Sequence, residues 1–382
     1  MLGPLQLRNR IIKAATFEGR SRRQVVTDEL VDFHRTVAAG GAAMSTVAYC
    51  AVSHEGSTDG RTIVLRPEAV PGLARLTDAI HAEGAAAAAQ IGHAGPVANP
   101  LATKTPALAP TRMLVPMTMR RTRAVNDDDI ARITEEFATG ARLAVEAGFD
   151  ALEVHLGHNY LLSAFLSPKL NTRDDAWGGS VERRSRFPRQ VVRAVREAVG
   201  GGVAVTAKLN MADGVAGGLW LDQSIEIARL LESDGALDAL ELTGGSSLAN
   251  PMYLFRGEAP MEEMAATLPP AIRLGFRLVG RRFLISYPFE EAYFLPFARQ
   301  FRAALSMPLI LLGGINRLDT MQRALEEGFS FVAMARALLR DPQLVAKLER
   351  GEADCGVCVH CNKCMPSIYS GTRCVLVERP SG

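Results

Sequence analysis

The chain carries no strong charge of either sign. Its 43 Lys and Arg oppose 41 Asp and Glu, a formal net charge of +2 over 382 residues. With no basic runs, that balance argues against nucleic acid as the main partner. No apolar stretch reaches the roughly 20 residues that cross a bilayer, so no membrane span is expected. The opening "MLGPLQLRNR" has no long apolar core and no small-residue cleavage site. No signal peptide is therefore expected, and a cytoplasmic location is. Cysteine is scarce until late: Cys50 stands alone, and the other five lie between Cys355 and Cys374. Evenly spread cysteines would suggest a disulfide framework, whereas a late cluster suggests a local metal site or a reduced tail. Internal repeats and low-complexity tracts are also missing.

What the sequence does have is about half apolar residues and eight short apolar runs. They are "RIIKAA" (10–15), "AAMSTVAY" (42–49), "AAAAAQIGH" (85–93), "FDALEVH" (149–155), "GVAVTAKLN" (202–210), "LDALELTGG" (237–245), "PLILLGGIN" (308–316) and "FSFVAMARAL" (329–338). Nearly continuous apolar runs suit parallel strands buried on both faces. The segments between them read as helices. From Asn126, an Asn-Asp start can cap the free N–H groups, and Ile130, Ile133, Phe137, Ala141 and Ala144 share one face. Gly148 is placed to end that helix. Eight strand–helix units predict a closed (β/α)₈ TIM barrel of the α/β class. An open doubly wound sheet is the rival, and no Gly-rich dinucleotide fingerprint follows the first strand. The barrel is expected over 1–345, with an excursion at 246–300 after strand 6 that covers the mouth, forms a subunit contact or is a solvated elaboration. A Cys-rich extension spans 346–382.

Barrel chemistry gathers at the C-terminal strand ends. Gln90 ends strand 3; His155 and His158 follow strand 4; Lys208 and Asn210 end strand 5; Thr243 ends strand 6. Gly313 and Gly314 after strand 7, with Arg336 after strand 8, form a phosphate-site pattern: glycines admit an anion close to backbone N–H groups, and a helix start adds donors. A bare tight turn is the alternative. His155 and His158 could bind zinc, but no third ligand is evident beside them and H-E-x-x-H is absent. His93 reads as structural. Lys208 at an inward strand end calls for an anion.

The stretch "EVHLGHNYLLSAFLSPKLNTRDDAWGGSVERRSRF" (153–187) resembles the signature of the Old Yellow Enzyme family of flavin mononucleotide (FMN) oxidoreductases. The family's histidine pair, tyrosine, "FLSP", "N-x-R-x-D" and "GGS" occur in order, and Arg183 replaces its usual Asn. "LRNRIIKAA", "QIGHAG", "LLGGI" and "ARALLRDP" resemble its first, third, seventh and eighth strands, so the resemblance covers roughly residues 7 to 345. It implies a TIM barrel with FMN at its mouth, reduced by NAD(P)H and reoxidised by an electron-poor alkene. Residue by residue, it implies Ala15 and Thr16 against the flavin and Tyr49 facing it. Gln90 would lie on the pyrimidine edge, Lys208 near N1, and Gly314, Ala335 and Arg336 on the phosphate, beside Gly313. His155 and His158 would bind the substrate carbonyl oxygen, and Tyr160 would donate the proton.

Elementary chemistry agrees with those roles. A cation near N1 stabilises reduced flavin. Two imidazole N–H donors can stabilise the oxyanion formed when hydride reaches an enone. A tyrosine hydroxyl can protonate the α-carbon. Larger relatives such as 2,4-dienoyl-CoA reductase bind an iron–sulfur cluster in the tail region. The thiolates of "CGVCVHCNKCMPSIYSGTRC" could hold a cluster or zinc, but their spacing departs from that of these relatives, and no metal is assigned. The expected activity is NAD(P)H-driven reduction of activated C=C bonds in small molecules, with a homo-oligomer left open. The alternatives are a cluster-bearing dienoyl reductase, an oxidative demethylase, a flavin sensor without turnover and a metal-dependent hydrolase.

Overall fold

The structure is a computed structural model that describes residues 1–115 and 118–377. Eight parallel strands form the barrel: β1 (Ile11–Lys13), β2 (Met44–Ala51), β3 (Ala86–Gly92), β4 (Ala151–Leu156), β5 (Ala204–Asn210), β6 (Ala239–Thr243), β7 (Leu309–Leu311) and β8 (Phe331–Met334). They neighbour one another in chain order, and β1 pairs with both β8 and β2, so the ring closes. Closure removes the free edges that an open sheet would leave. Each expected apolar run contributes one strand.

Side chains alternate along each strand. On β4, Leu152, Val154 and Leu156 pack outward under the helices, while Ala151 points into the barrel. The floor of the interior is lopsided. Ala88, Ala151, Ala204 and Ala239 line it on β3 to β6, whereas Ile12, Met44, Ile310 and Phe331 fill it from β1, β2, β7 and β8. Leu2 closes the bottom.

The outer ring is α1 (Asp28–Ala39), α2 (Val70–His81), α3 (Asp127–Glu146), α4 (Val181–Val199), α5 (Leu221–Ser233), α6 (Leu295–Ala304), α7 (Leu318–Glu326) and α8 (Arg336–Arg340). The sequence pattern of α3 is realised directly. Asn126 Oδ1 accepts from the Asp129 N–H at 2.8 Å, and Asp129 accepts from the Asn126 N–H at 3.1 Å. This capping box satisfies two end donors. Ile130, Ile133, Phe137, Ala141 and Ala144 are all buried, and a fully buried Ile or Phe contributes about 1.5–3 kcal/mol. Gly148 follows with φ +87°, a turn that a side chain would strain.

The excursion after β6 holds the helices Met252–Phe255, Met261–Thr267 and Pro270–Val279. Its later aromatic part covers the barrel mouth: a Cβ on Gly313 would meet Phe294 at 2.6 Å, and one on Gly314 would meet Tyr293 at 2.5 Å. The tail crosses the same face. It starts beside β7, where the Gly356 N–H donates to Asn316 O at 2.7 Å. Asn362 Nδ2 then donates to Arg256 O and Glu258 O in the excursion, both at 3.0 Å. Finally Thr372 donates to Glu18 O and Phe17 O in the loop after β1, at 2.7 and 2.5 Å.

Candidate active site

The inward side chains near the C-terminal ends of β3 to β6 form a polar layer above the alanine floor. His155 is the last inward residue of β4 and is buried. Beyond it the chain does not begin the helical turn that a three-residue histidine spacing suggests. His158 and Asn159 both take φ +60°, and the next helix starts only at Leu161, after Tyr160. The reason is local anchoring. The His158 N–H donates to Asn210 Oδ1 at 3.0 Å, holding the turn against β5, and Asn tolerates the left-handed conformation better than most residues.

The turn still brings the three expected groups together. Ring centroids of His155 and His158 are 5.1 Å apart, and those of His155 and Tyr160 are 4.7 Å apart. His158 Nε2 lies 3.0 Å from Thr243 Oγ1. His155 Nδ1 is buried with no hydrogen-bond partner among the described residues. Such an orphan is costly unless a ligand satisfies it. Burial, then the neighbouring His158 and Lys208, lowers the His155 pKa well below its ordinary value. Burial and Lys208 lower that of His158 to about 3. Both rings are therefore neutral near pH 7, each with one N–H to donate. Burial, then Asp59, raises the pKa of Tyr160, so its hydroxyl keeps its proton.

Lys208 is fully buried, but it does not stand free beneath the mouth. Its ammonium lies 2.9 Å from Glu153 and 2.5 Å from Glu241, and Gln90 Nε2 donates to Glu153 at 2.8 Å. Strand register explains the grouping: Lys208 is opposite His155 on one side and Glu241 on the other, while Gln90 is opposite Glu153. Burial opposes the Lys208 charge, but the two carboxylates outweigh it and raise its pKa.

Ala15, Tyr49 and Tyr160 belong to one apolar cluster at the β1–β2 side of the mouth. Thr16 adjoins it, its hydroxyl bonded to Ala14 O at 3.1 Å. The Tyr49 ring meets Tyr160 edge-on at 5.4 Å, and its hydroxyl is committed to Gly56 O at 2.7 Å. Across the mouth, Gly313 and Gly314 have φ of +116° and +72°. Neither amide donates a hydrogen bond among the described residues. Ala335 precedes α8, and Arg336 reaches Arg256 O at 3.0 Å and Asn362 Oδ1 at 2.5 Å. His93 is buried, its Nδ1 accepting from the Gly95 N–H at 3.0 Å and its Nε2 lying 3.8 Å from Glu55.

Sequence reading missed Glu153, Glu241 and Tyr293. The available signal was an acid at an inward position of an apolar strand, "LEVH" and "LELT", two residues before a site residue. In the tail, Cys358, Cys361, Cys364 and Cys374 line one small cavity with Arg336 and Arg340. Four converging thiols suit a cluster or zinc. Among the described residues, however, no group of three or more His, Cys, Asp or Glu is spaced to hold a metal ion. No metal is assigned on that geometry.

A model of the NADH:flavin oxidoreductase / NADH oxidase family matches residues 1–235. The chain belongs to this family. A 4,4'-dithiodibutanoate disulfide reductase from Rhodococcus erythropolis is 61% identical over 98% of this chain and 93% of its own length. A multifunctional alkene reductase/demethylase from Caballeronia cordobensis is 28% identical over 92% of this chain but 48% of its own length. Among solved structures, morphinone reductase in complex with tetrahydroNAD matches at a TM-score of 0.72 and 24% identity, covering 92% of this chain and 90% of that one. This last likeness concerns the fold, which is that of the Old Yellow Enzymes. The flavin oxidoreductase is thus an FMN-dependent enzyme with NADH or NADPH as reductant. No helix among its described residues is long and apolar enough to cross a membrane.

Proposed function

We propose that this enzyme reduces small, electron-poor acceptors, activated C=C bonds foremost, at the site formed by His155, His158 and Tyr160. The observation that carries the reading is the orphaned, buried Nδ1 of His155 beside the His158 and Tyr160 rings. The free amides at Gly313 and Gly314 suit a phosphate. Gly314, Ala335 and Arg336 would hold that of FMN, while Ala15, Thr16, Tyr49, Gln90 and Lys208 would surround its ring. Bound there, FMN supplies the hydride acquired from NAD(P)H. The chain's own residues do the rest. The two neutral imidazoles donate to the acceptor's carbonyl oxygen, where charge develops, and one such donor is worth about 2.7–4 kcal/mol. Tyr160 delivers the proton to the α-carbon, and Thr243 fixes the His158 ring.

A second reading is favoured by the 61% identical disulfide reductase, which this chain spans almost fully. In it the acceptor is a small disulfide: hydride and one proton break the S–S bond and release two thiols. The test is anaerobic mixing of the NADPH-reduced holoenzyme with cyclohexenone or with a linear aliphatic disulfide. Rapid reoxidation by the enone supports the first reading, and reoxidation by the disulfide alone replaces it with the second.

A further inference from the structure

A cavity of about 370 Å³ opens between the loops that follow β1, β2 and β3. That volume lies within the range of small-molecule subsites. Nearly all of its polar lining is already bonded. His54 is a strut: Nδ1 faces Gln24 at 3.0 Å, and Nε2 faces Thr103 O at 2.8 Å. Ser57 donates to His54 O at 2.7 Å. Asp59, the acid in the lining, is spent on Arg61, one oxygen on the guanidinium at 2.6 Å and the other on the backbone N–H at 2.8 Å.

Two cations remain. Arg23 makes no hydrogen bond or ion pair among the described residues, and the nearest acid to Arg66 is the exposed Glu68 at 3.8 Å. Arg23 and Gln24 both lie in the left-handed region, at φ +53° and +66°. Each such residue costs about 1–3 kcal/mol unless its surroundings enforce it. Here the buried Gln24 side chain does so, and Arg23 is held at the cavity rim as a result. One segment lies between the cavity and the reaction site. Residues 54–60 line the cavity on one side, and on the other Gly56 O receives the Tyr49 hydroxyl, whose ring abuts Tyr160.

We infer that this cavity is an anion subsite, in which Arg23 and Arg66 hold a carboxylate or phosphate borne by one of the two small molecules that meet at the site. The inference rests on the proposed hydride-transfer reading and adds to it a charge requirement on acceptor or reductant. A carboxylate on the acceptor and a phosphate on the nicotinamide dinucleotide share this chemistry, and the two half-reactions separate them.

The experiment uses the FMN-loaded enzyme and its Arg23→Gln/Arg66→Gln variant in anaerobic stopped flow. The oxidative half-reaction compares a cyclohexenone bearing a carboxylate with its methyl ester, and the reductive half-reaction compares NADPH with NADH. If the acceptor bears the anion, the variant lowers the acid-over-ester preference in half-saturation by about tenfold or more. If the reductant bears it, the NADPH-over-NADH preference falls instead. Both preferences equal to wild type overturn the subsite. Wild-type flavin that is neither reduced by NAD(P)H nor reoxidised by either enone sinks the hydride-transfer reading instead. In that case, calorimetric binding of inorganic phosphate and of the carboxylate enone to oxidised holoenzyme decides the subsite. Heat present in wild type and lost in the variant upholds it, and no heat in wild type overturns it.

Discussion

The ammonium of Lys208 and the carboxylate of Glu241 lie 2.5 Å apart inside the barrel, both almost wholly shielded from water. The contact is an ion pair only where Glu241 is ionised, and Glu153 is the second acid on the same cation. Burial, then the charge of Glu153, pushes the Glu241 carboxyl up to about 8 from an ordinary 4.5, against the opposing pull of Lys208. The folded chain then keeps a proton that the unfolded chain releases. That contribution to stability is complete below about pH 4.5 and disappears as pH rises through about 8. Glu241→Gln should flatten this fall, as read by the denaturant midpoint across the window. A pH profile parallel to wild type would show that Glu241 ionises normally.

Lys208→Met removes the cation and leaves two buried acids facing each other. Breaking a buried pair in this way costs about 3–5 kcal/mol. Adding Glu241→Gln should recover part of that stability, and the double-mutant cycle measures the coupling. In the FMN-loaded protein, Lys208→Met should also lower the flavin's midpoint potential. An unmoved potential would mean that Lys208 does not sense the ring.

Tyr160→Phe removes the proton donor and keeps the ring. Enone reduction should slow by roughly 10²–10⁴-fold. NAD(P)H oxidation with a quinone acceptor should suffer far less, because no proton is placed on carbon. Wild-type enone turnover in this variant would assign the proton to another group.

His155→Ala should weaken binding of a phenol, which mimics the enolate oxygen, and slow enone reduction by about 10²–10³-fold, the usual loss for one oxyanion donor. Because burial holds both imidazoles neutral, phenol binding by wild type should show no histidine titration between about pH 5 and 8. A midpoint near the ordinary histidine value would contradict the buried, neutral pair.

Gly314→Ala places a methyl group 2.5 Å from the Tyr293 ring at φ +72°. Overpacking of this kind costs about 1–3 kcal/mol. Thermal unfolding should shift down by that amount, and FMN should bind more weakly. Unchanged FMN affinity with lowered stability would separate the aromatic cover from the phosphate site.

The barrel was legible because its eight strands read as mainly apolar runs, and a polar residue at a strand end then stands out. His155, Lys208 and Gln90 were found that way. The turn at His158 was not, since its shape depends on Asn210, 52 residues away in the chain, and spacing rules see only neighbours. The carboxylates around Lys208 were hidden for a related reason. Glu153 and Glu241 lie on different strands, and only the barrel register brings them to one ammonium. Likewise nothing in "ARALL" announces that Arg336 will meet Asn362 from the tail.

The four alanines under β3 to β6 set how deep the polar wall can sit. Facing them, Ile12, Met44, Ile310 and Phe331 reach across the axis and use the space the alanines leave. The barrel therefore has a tilted base, low under the strands that carry Gln90, Glu153, His155 and Lys208. A larger residue at Ala151 or Ala204 would act like a shim, shifting Glu153, Lys208 and His155 together while leaving every polar group in place. The low half of the floor and the polar wall thus share one side of an eightfold scaffold.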